Sequence, residues 1–480
     1  AVIADHFYQA KNALPKLKIQ WNLPKTLSKF SSDSTATDNG KGLFKTALDS
    51  DNATNVFEKG EGLSALQNAH AVISAEYWAP YLAHATMEPM NCTAKLTDNR
   101  LELWVGCQSP ELAKNLAAYY ADVPADNIII HSTFLGGGFG RRSESDFVAE
   151  AAAIAKVSNL PIQLCWSRED DMQNDNYRPA SMARFTVGLN KAGLIDSWTV
   201  KRAGPQLMPY VIDNLVDGIM PSILPNAFVD WMSKAGYSLY DSLLVDHTSV
   251  EGLYEDYDVP NKSSDHITAD PGLPVGAWRS VGHSYSGFFK ESMMDEIAAL
   301  QNQDGVEFRL KHLKNNPKLA NVLKVVAKKS AWNKPLPKGH YQGVAVHESF
   351  SSFVAQVAEV SVVDNQLFVH KVVCVIDCGL AINPDIVKAQ MESGIIDGLS
   401  AALYGEITLK NGVIQQSNFH DYPALRINES PEIDVVIIDS NEAPTGVGEP
   451  GLPPIAAAVG NAIFAATGTR LRSLPLKLEG

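Results

Sequence analysis

The 480-residue chain is short of positive charge, of cysteine and of long apolar runs. Lys and Arg number 40 against 54 Asp and Glu, a formal net charge of −14. A surface of that sign does not attract polyanions, which argues against nucleic acid and anionic membrane as main partners. No uninterrupted apolar run approaches the roughly 20 residues of a membrane-spanning helix. The most apolar stretch, 452–468, contains Pro, Gly and Asn and reads as a core helix. Five cysteines occur and none forms C-x-x-C. An iron–sulfur cluster takes its thiolates at characteristic spacing, so any such carrier belongs to another chain. Cys374 and Cys378 share a strand face without further ligands and read as buried free thiols. A serine hydrolase's G-x-S-x-G is missing, and His347-Glu348 lacks the second His of a zincin.

What is present suits a globular protein of two to four domains, 45% hydrophobic and 20% charged. Residues 5–13 predict a helix and 17–21 a strand, and 31–40, small and polar, a linker. Strands are expected at 72–77, 101–105, 127–131 and 161–166, with helices at 111–120 and 144–157. The Gly-rich segment 136–140 then sits in a βαβ-like unit. Residues 204–270 read as irregular, a binding wall or partner surface. A helix is expected at 288–301 and helical segments through 306–329. Strands follow at 352–363, 367–376 and 432–438, interrupted by a helix over 389–403. The divisions expected are 1–60, 61–330 and 331–480.

Four stretches carry possible chemistry. Gly136-Gly137-Gly138-Phe139-Gly140 sits at a strand-to-helix handover, where an anion can bind. The dinucleotide fingerprint fails, because position 141 is Arg, and no Gly-Lys-Ser/Thr follows. Taken alone, the segment suits a tight turn. Gln108 could donate an amide hydrogen bond into a pocket, or be a surface side chain. Trp278-Arg279-Ser280-Val281-Gly282-His283 offers a stacking surface and a fixed cation, or a buried Trp beside a salt bridge. His283 reads as a core or capping histidine. Gly446-Val447-Gly448-Glu449-Pro450-Gly451 holds one acid in a stiff loop before a helix that opens on Pro453-Pro454. Gly446 and Gly448 can adopt backbone angles closed to other residues. Glu449 is either a general base or a helix N-terminal acid, and the loop alone favours neither.

Together with Pro80–Cys92, Gln390–Leu399 and Ser417–Pro423, these stretches resemble the large, molybdenum-cofactor-binding subunit of the xanthine oxidase/aldehyde oxidase family. The likeness is greatest to the isoquinoline 1-oxidoreductase beta subunit type and runs from about residue 70 to the end. It implies an α+β fold of molybdopterin-binding domains, with the tail of a smaller α/β hammerhead-like domain at the N-terminus. Glu449 corresponds to the family's proton-accepting glutamate, and Gln108 to the glutamine that hydrogen-bonds the metal centre. Gly137, Gly138, Phe139, Gly140, Arg279 and Gly448 correspond to cofactor-side positions. Trp278, Arg279 and Val281 correspond to the substrate pocket.

The resemblance further implies a molybdopterin cofactor in its cytosine dinucleotide form, with the metal held through the pterin. The partners it implies are a small [2Fe-2S] subunit, a possible cytochrome c acceptor and an aldehyde or N-heteroaromatic substrate. Ser143 stands where purine-converting members have a glutamate, and Val281 replaces an aromatic, so the pocket should differ in shape. The family's Gly-Gln-Gly and small-residue loops are not found, so another segment or chain is expected to complete the cofactor site. The compartment stays open between periplasm and cytoplasm. Two rival readings are a nucleotide-dependent dehydrogenase using Gly136–Gly140 and a non-catalytic scaffold of a redox complex.

Overall fold

The computed structural model describes residues 1–20, 22, 42–212 and 245–478. Its first sheet has five strands in the order Thr54–Lys59, Asn261–Thr268, Ile195–Gly204, Ser181–Leu189, Ala71–Ala79. One face carries Tyr77, Phe185 and Trp198 in edge-to-face contact, with centroids 5.7 and 5.2 Å apart. The other face is closed by Phe44, Trp78 and Met182. A second sheet runs His340–Ser349, Ser352–Val363, Gln366–Asp377, Glu432–Ile437. Its middle strands are valine-rich because both faces are covered.

Between these sheets lies the helix His283–Leu300, with 14 buried residues on all sides. Its buried Glu291 is met by Arg309, the Tyr257 hydroxyl and the Val346 N–H, so the charge is compensated. The helix Pro453–Thr467 packs against it. Its run of buried residues from Pro453 to Ile463 is mostly small. Close approach follows: a Cβ on Gly343 would overlap the backbone of this helix, and one on Gly287 would crowd Pro453 O at 2.5 Å. The helix is wedged at both crossings, which fixes the loop that precedes it.

A third sheet, Ile128–Ser132, Arg100–Val105, Asn91–Thr97, Ile162–Cys165, carries the helices Pro110–Ala121 and Asp146–Ser158. Here the βαβ expectation shifts. The parallel neighbours are Arg100–Val105 and Ile128–Ser132, joined by Pro110–Ala121. The strands flanking the Gly-rich segment lie on opposite edges.

Other expectations change as well. Residues 17–20 form no strand. The stretch expected to be irregular contains Asn261–Thr268, paired on both sides. Thr54–Lys59 is built into the first sheet, so a boundary at residue 60 falls inside it. The helices expected from 288 and 389 begin at His283 and Pro384. The linker at 31–40 and the segment 213–244 lie outside the described residues.

Candidate active site

The loop 446–451 is held by its carbonyls, each taken by a different side chain. Ser352 Oγ donates to Gly446 O at 2.7 Å. Arg279 donates to Gly448 O from Nε at 2.9 Å and Nη2 at 2.6 Å. Ser280 Oγ donates to Glu449 O at 2.8 Å, and Gln356 to Gly451 O at 2.7 Å. The Glu449 side chain is fixed separately: its Oε1 accepts from the Ser280 backbone N–H at 3.0 Å. The other oxygen, Oε2, has no hydrogen-bond partner among the described residues. Glu449 is thus a loop carboxylate on a rigid seat rather than a helix cap; Leu452 N–H bonds its carbonyl.

The glycines act differently from expectation. Neither Gly446 nor Gly448 has positive φ. Gly446 is small because Phe350 Cβ would stand 2.9 Å from its side chain. Gly448 is open, since an added Cβ would meet nothing within 4 Å. Left-handed backbone is found instead at Gly137 and Gly140, with φ of 101° and 107°, and at three non-glycines: Phe139, Ser280 and Val281. For a β-branched residue such as Val281, φ of 46° costs about 1–3 kcal/mol, and such strain gathers at functional sites.

Arg279 connects the two segments. Its guanidinium lies 5.9 Å from the Phe139 ring and also bonds Ser393, Gln390 and Asp397. All three nitrogens are spent on the protein, so it acts through Gly448 rather than as a free cation. Burial lifts the Asp397 carboxyl above its usual range despite the opposing Arg279. Gln108 accepts from Gly140 N–H at 3.1 Å through Oε1, leaving its exposed Nε2 to donate outward. Side chains on Gly138 or Gly140 would strike Gln108 Oε1 and Ala277 O. Trp278 is buried against Leu82 and Leu452, with its indole N–H on Ala83 O at 3.3 Å. His283 is a core histidine: its Nδ1 lies 2.9 Å from Nε2 of His347. Burial holds it down to about 4.

Several supporting residues escaped the sequence. Arg141 and Arg142, adjacent in the sequence, are both fully buried. Arg141 forks onto Asp146 and reaches Asp175. Burial disfavours its charge, and Asp146 and then Asp175 more than offset this. Arg142 bonds Gly106 O, Gly137 O and Glu88, pinning the Gly-rich segment from below. His84 lies 3.0 Å from Asp175 and 3.1 Å from Ala277 O, joining that segment to the Trp278 side. Only the acid-base alternation around 141–146 hinted at this, because Asp175 and His84 lie far away in sequence.

Comparison with known proteins adds to this geometry. Residues 47–204 and 290–431 each match a molybdopterin cofactor-binding domain. The chain is 31% identical to the isoquinoline 1-oxidoreductase subunit beta of Brevundimonas diminuta, over 99% of this chain and 59% of that one. It is 28% identical to a membrane-bound aldehyde dehydrogenase [pyrroloquinoline-quinone] of Gluconacetobacter polyoxogenes, over 99% and 62%. It therefore spans about three fifths of the length of these relatives. The fold matches the quinoline 2-oxidoreductase structure from Pseudomonas putida 86 with a TM-score of 0.76 at 12% identity, covering 98% of this chain and 83% of that one. The residues present fit such a cofactor. Gly448 leaves open space, the Gln108 amide nitrogen has no protein partner among the described residues, and four of the five residues of 136–140 are glycines that present bare backbone. The chain belongs to the xanthine oxidase/aldehyde oxidase family of molybdenum hydroxylases, as part of its large, molybdopterin-binding subunit.

Proposed function

We propose that the protein of which this chain is part hydroxylates an aldehyde or N-heteroaromatic C–H, with Glu449 as the base. The observation that carries it is the Glu449 carboxylate, seated on the Ser280 N–H with its second oxygen uncommitted. When bound, the molybdenum cofactor supplies two-electron oxidation of the substrate carbon with water as the oxygen source. The chain's own residues do the rest. Glu449 Oε2 takes the proton that this oxidation releases, as a base of fixed position should. Arg279 and Ser280 prevent the loop from yielding as that charge changes. Gln108 donates from Nε2 to the cofactor, and Gly137, Gly138, Phe139, Gly140 and Gly448 let it pass close to the backbone. Trp278 and Val281 wall the substrate side. The pterin is the cytosine dinucleotide form, and its remaining contacts come from another segment or chain. Electrons leave through a small [2Fe-2S] partner, with a cytochrome c acceptor beyond it.

The test is the source of oxygen. Native complex turning over in H₂¹⁸O under air is expected to give product carrying ¹⁸O. Product labelled only from ¹⁸O₂ overturns the reading.

A further inference from the structure

His84 is buried at the joint between the Gly-rich segment and the seat of Glu449, with its side chain 1% exposed. Both of its ring nitrogens face oxygen. Nδ1 lies 3.0 and 3.1 Å from the two carboxylate oxygens of Asp175, and Nε2 lies 3.1 Å from Ala277 O. A carbonyl can only accept a hydrogen bond, and so can an ionised carboxylate. Donors on both oxygens hold Asp175 in its ionised form. The His84 backbone N–H stands 2.6 Å from Oδ2, and Arg141 Nε 3.1 Å from Oδ1. Neutral imidazole has one N–H and can serve only one of the two acceptors. The pair at bonding distance therefore requires the imidazolium, with both N–H groups donating.

The surrounding charges are mixed. On the stretch 168–177, Asp171 and Asp175 favour the imidazolium and Arg168 opposes it, while burial keeps the Tyr177 phenol neutral. On the stretch 141–146, Arg141 opposes it and is itself neutralised by Asp146. Glu144 lies against Gly276, where an added Cβ would stand 3.4 Å from its Oε1. Glu88, on the same stretch as His84, is taken by Arg142. Burial keeps the Tyr422 phenol, which bonds Ala83, neutral as well.

The position of the ring gives the second proton its consequence. Ala277 O is wedged between His84 Nε2 and Gly140, where an added Cβ would stand 1.5 Å from that oxygen. Three residues later the Ser280 N–H seats Glu449. A ring with one proton keeps it toward Asp175, because a charged acceptor makes the stronger bond. The Nε2 lone pair would then face the Ala277 oxygen, and the two repel. We propose that His84 is a positioning residue for the base: as an imidazolium it holds Ala277 O, and release of one ring proton to water frees Ala277–Ser280 and unseats Glu449. This deepens the proposed function and rests on it only for Glu449 as the base.

The test measures amide deuterium exchange over 278–281 in the native complex, alongside kcat, from pH 6 to pH 10. Protection of these amides, corrected for the intrinsic rate, is expected to fall by about tenfold or more as pH rises, while the helix Pro453–Thr467 stays protected. kcat is expected to fall over the same range, with molybdenum content unchanged. Two variants separate this role from packing. Gln places its amide nitrogen where His has Nε2, so His84→Gln is expected to keep turnover and lose the fall at high pH. Asn places it where His has Nδ1, so His84→Asn is expected to lower kcat by about tenfold or more at every pH, with KM little changed. Constant protection from pH 6 to pH 10 overturns the proposal even where neither variant folds. So does an alkaline fall that persists in His84→Gln. A complex without hydroxylase turnover would refute the proposed function, and the exchange result would still decide this one.

Discussion

At the scale of single residues, the site is a set of committed hydrogen bonds around one uncommitted oxygen. Glu449 is conspicuous in the sequence because glycine and proline surround it. Its seat is not, because the donor is the backbone N–H of Ser280, which a sequence carries everywhere and marks nowhere. The same limit hid the buttress beneath the Gly-rich segment. Arg141 and Arg142 look solvated side by side, and only the fold brings Asp175 and Glu88 to them. That buttress has a consequence for pH. Burial, and then the charge of Asp175, lift the Asp171 carboxyl to about 6. The folded state therefore holds this proton where the unfolded chain, with an Asp near 4, has released it. Between about pH 4 and pH 6 this group makes stability fall as pH rises. Asp171→Asn is expected to flatten that slope in denaturant titrations at pH 4.5 and 6.5. An unchanged slope would show that Asp171 does not titrate there.

At the scale of elements, regular apolar patterns were readable and polar ones were not. The helix Pro453–Thr467 announces itself through two prolines and an apolar run, and the paired prolines occupy its first turn as expected. Asn261–Thr268 reads as loop because Asn, Lys, Ser and Asp fill it. It is a strand because both neighbours supply ladder partners, a tertiary cause that local propensity cannot express. The two Gly-rich segments separate in the same way. In 136–140 the glycines answer to backbone angle and to collision, whereas Gly448 faces open space. Gly140→Ala is expected to destabilise by roughly 2–4 kcal/mol, through strain at positive φ and overlap with Ala277. Gly448→Ala is expected to leave the Tm within about a degree while lowering cofactor content. Thermal unfolding together with metal analysis of both variants checks the contrast. A large loss of Tm in Gly448→Ala would contradict it.

At the scale of the whole molecule, one hydrophobic cluster runs from Ala75 to Leu476 and joins the first two sheets and the central helices. Both sides of the site are thereby held in one packed body: Arg279 and Ser280 precede the central helix, and Glu449 precedes the helix wedged against it. The family was legible because short motifs occur in a fixed order along the chain. The tie through His84 was not, because His84, Asp175 and Ala277 carry no common motif and meet only in the fold. The reading that depends on all of this is Glu449 as base in a complex that still binds its metal. The decisive measurement is molybdenum content and turnover of the complex assembled around Glu449→Gln. Molybdenum close to the wild-type level with turnover lower by about 10²–10⁴ is the expected result. Turnover that survives the substitution at full metal content would contradict the account.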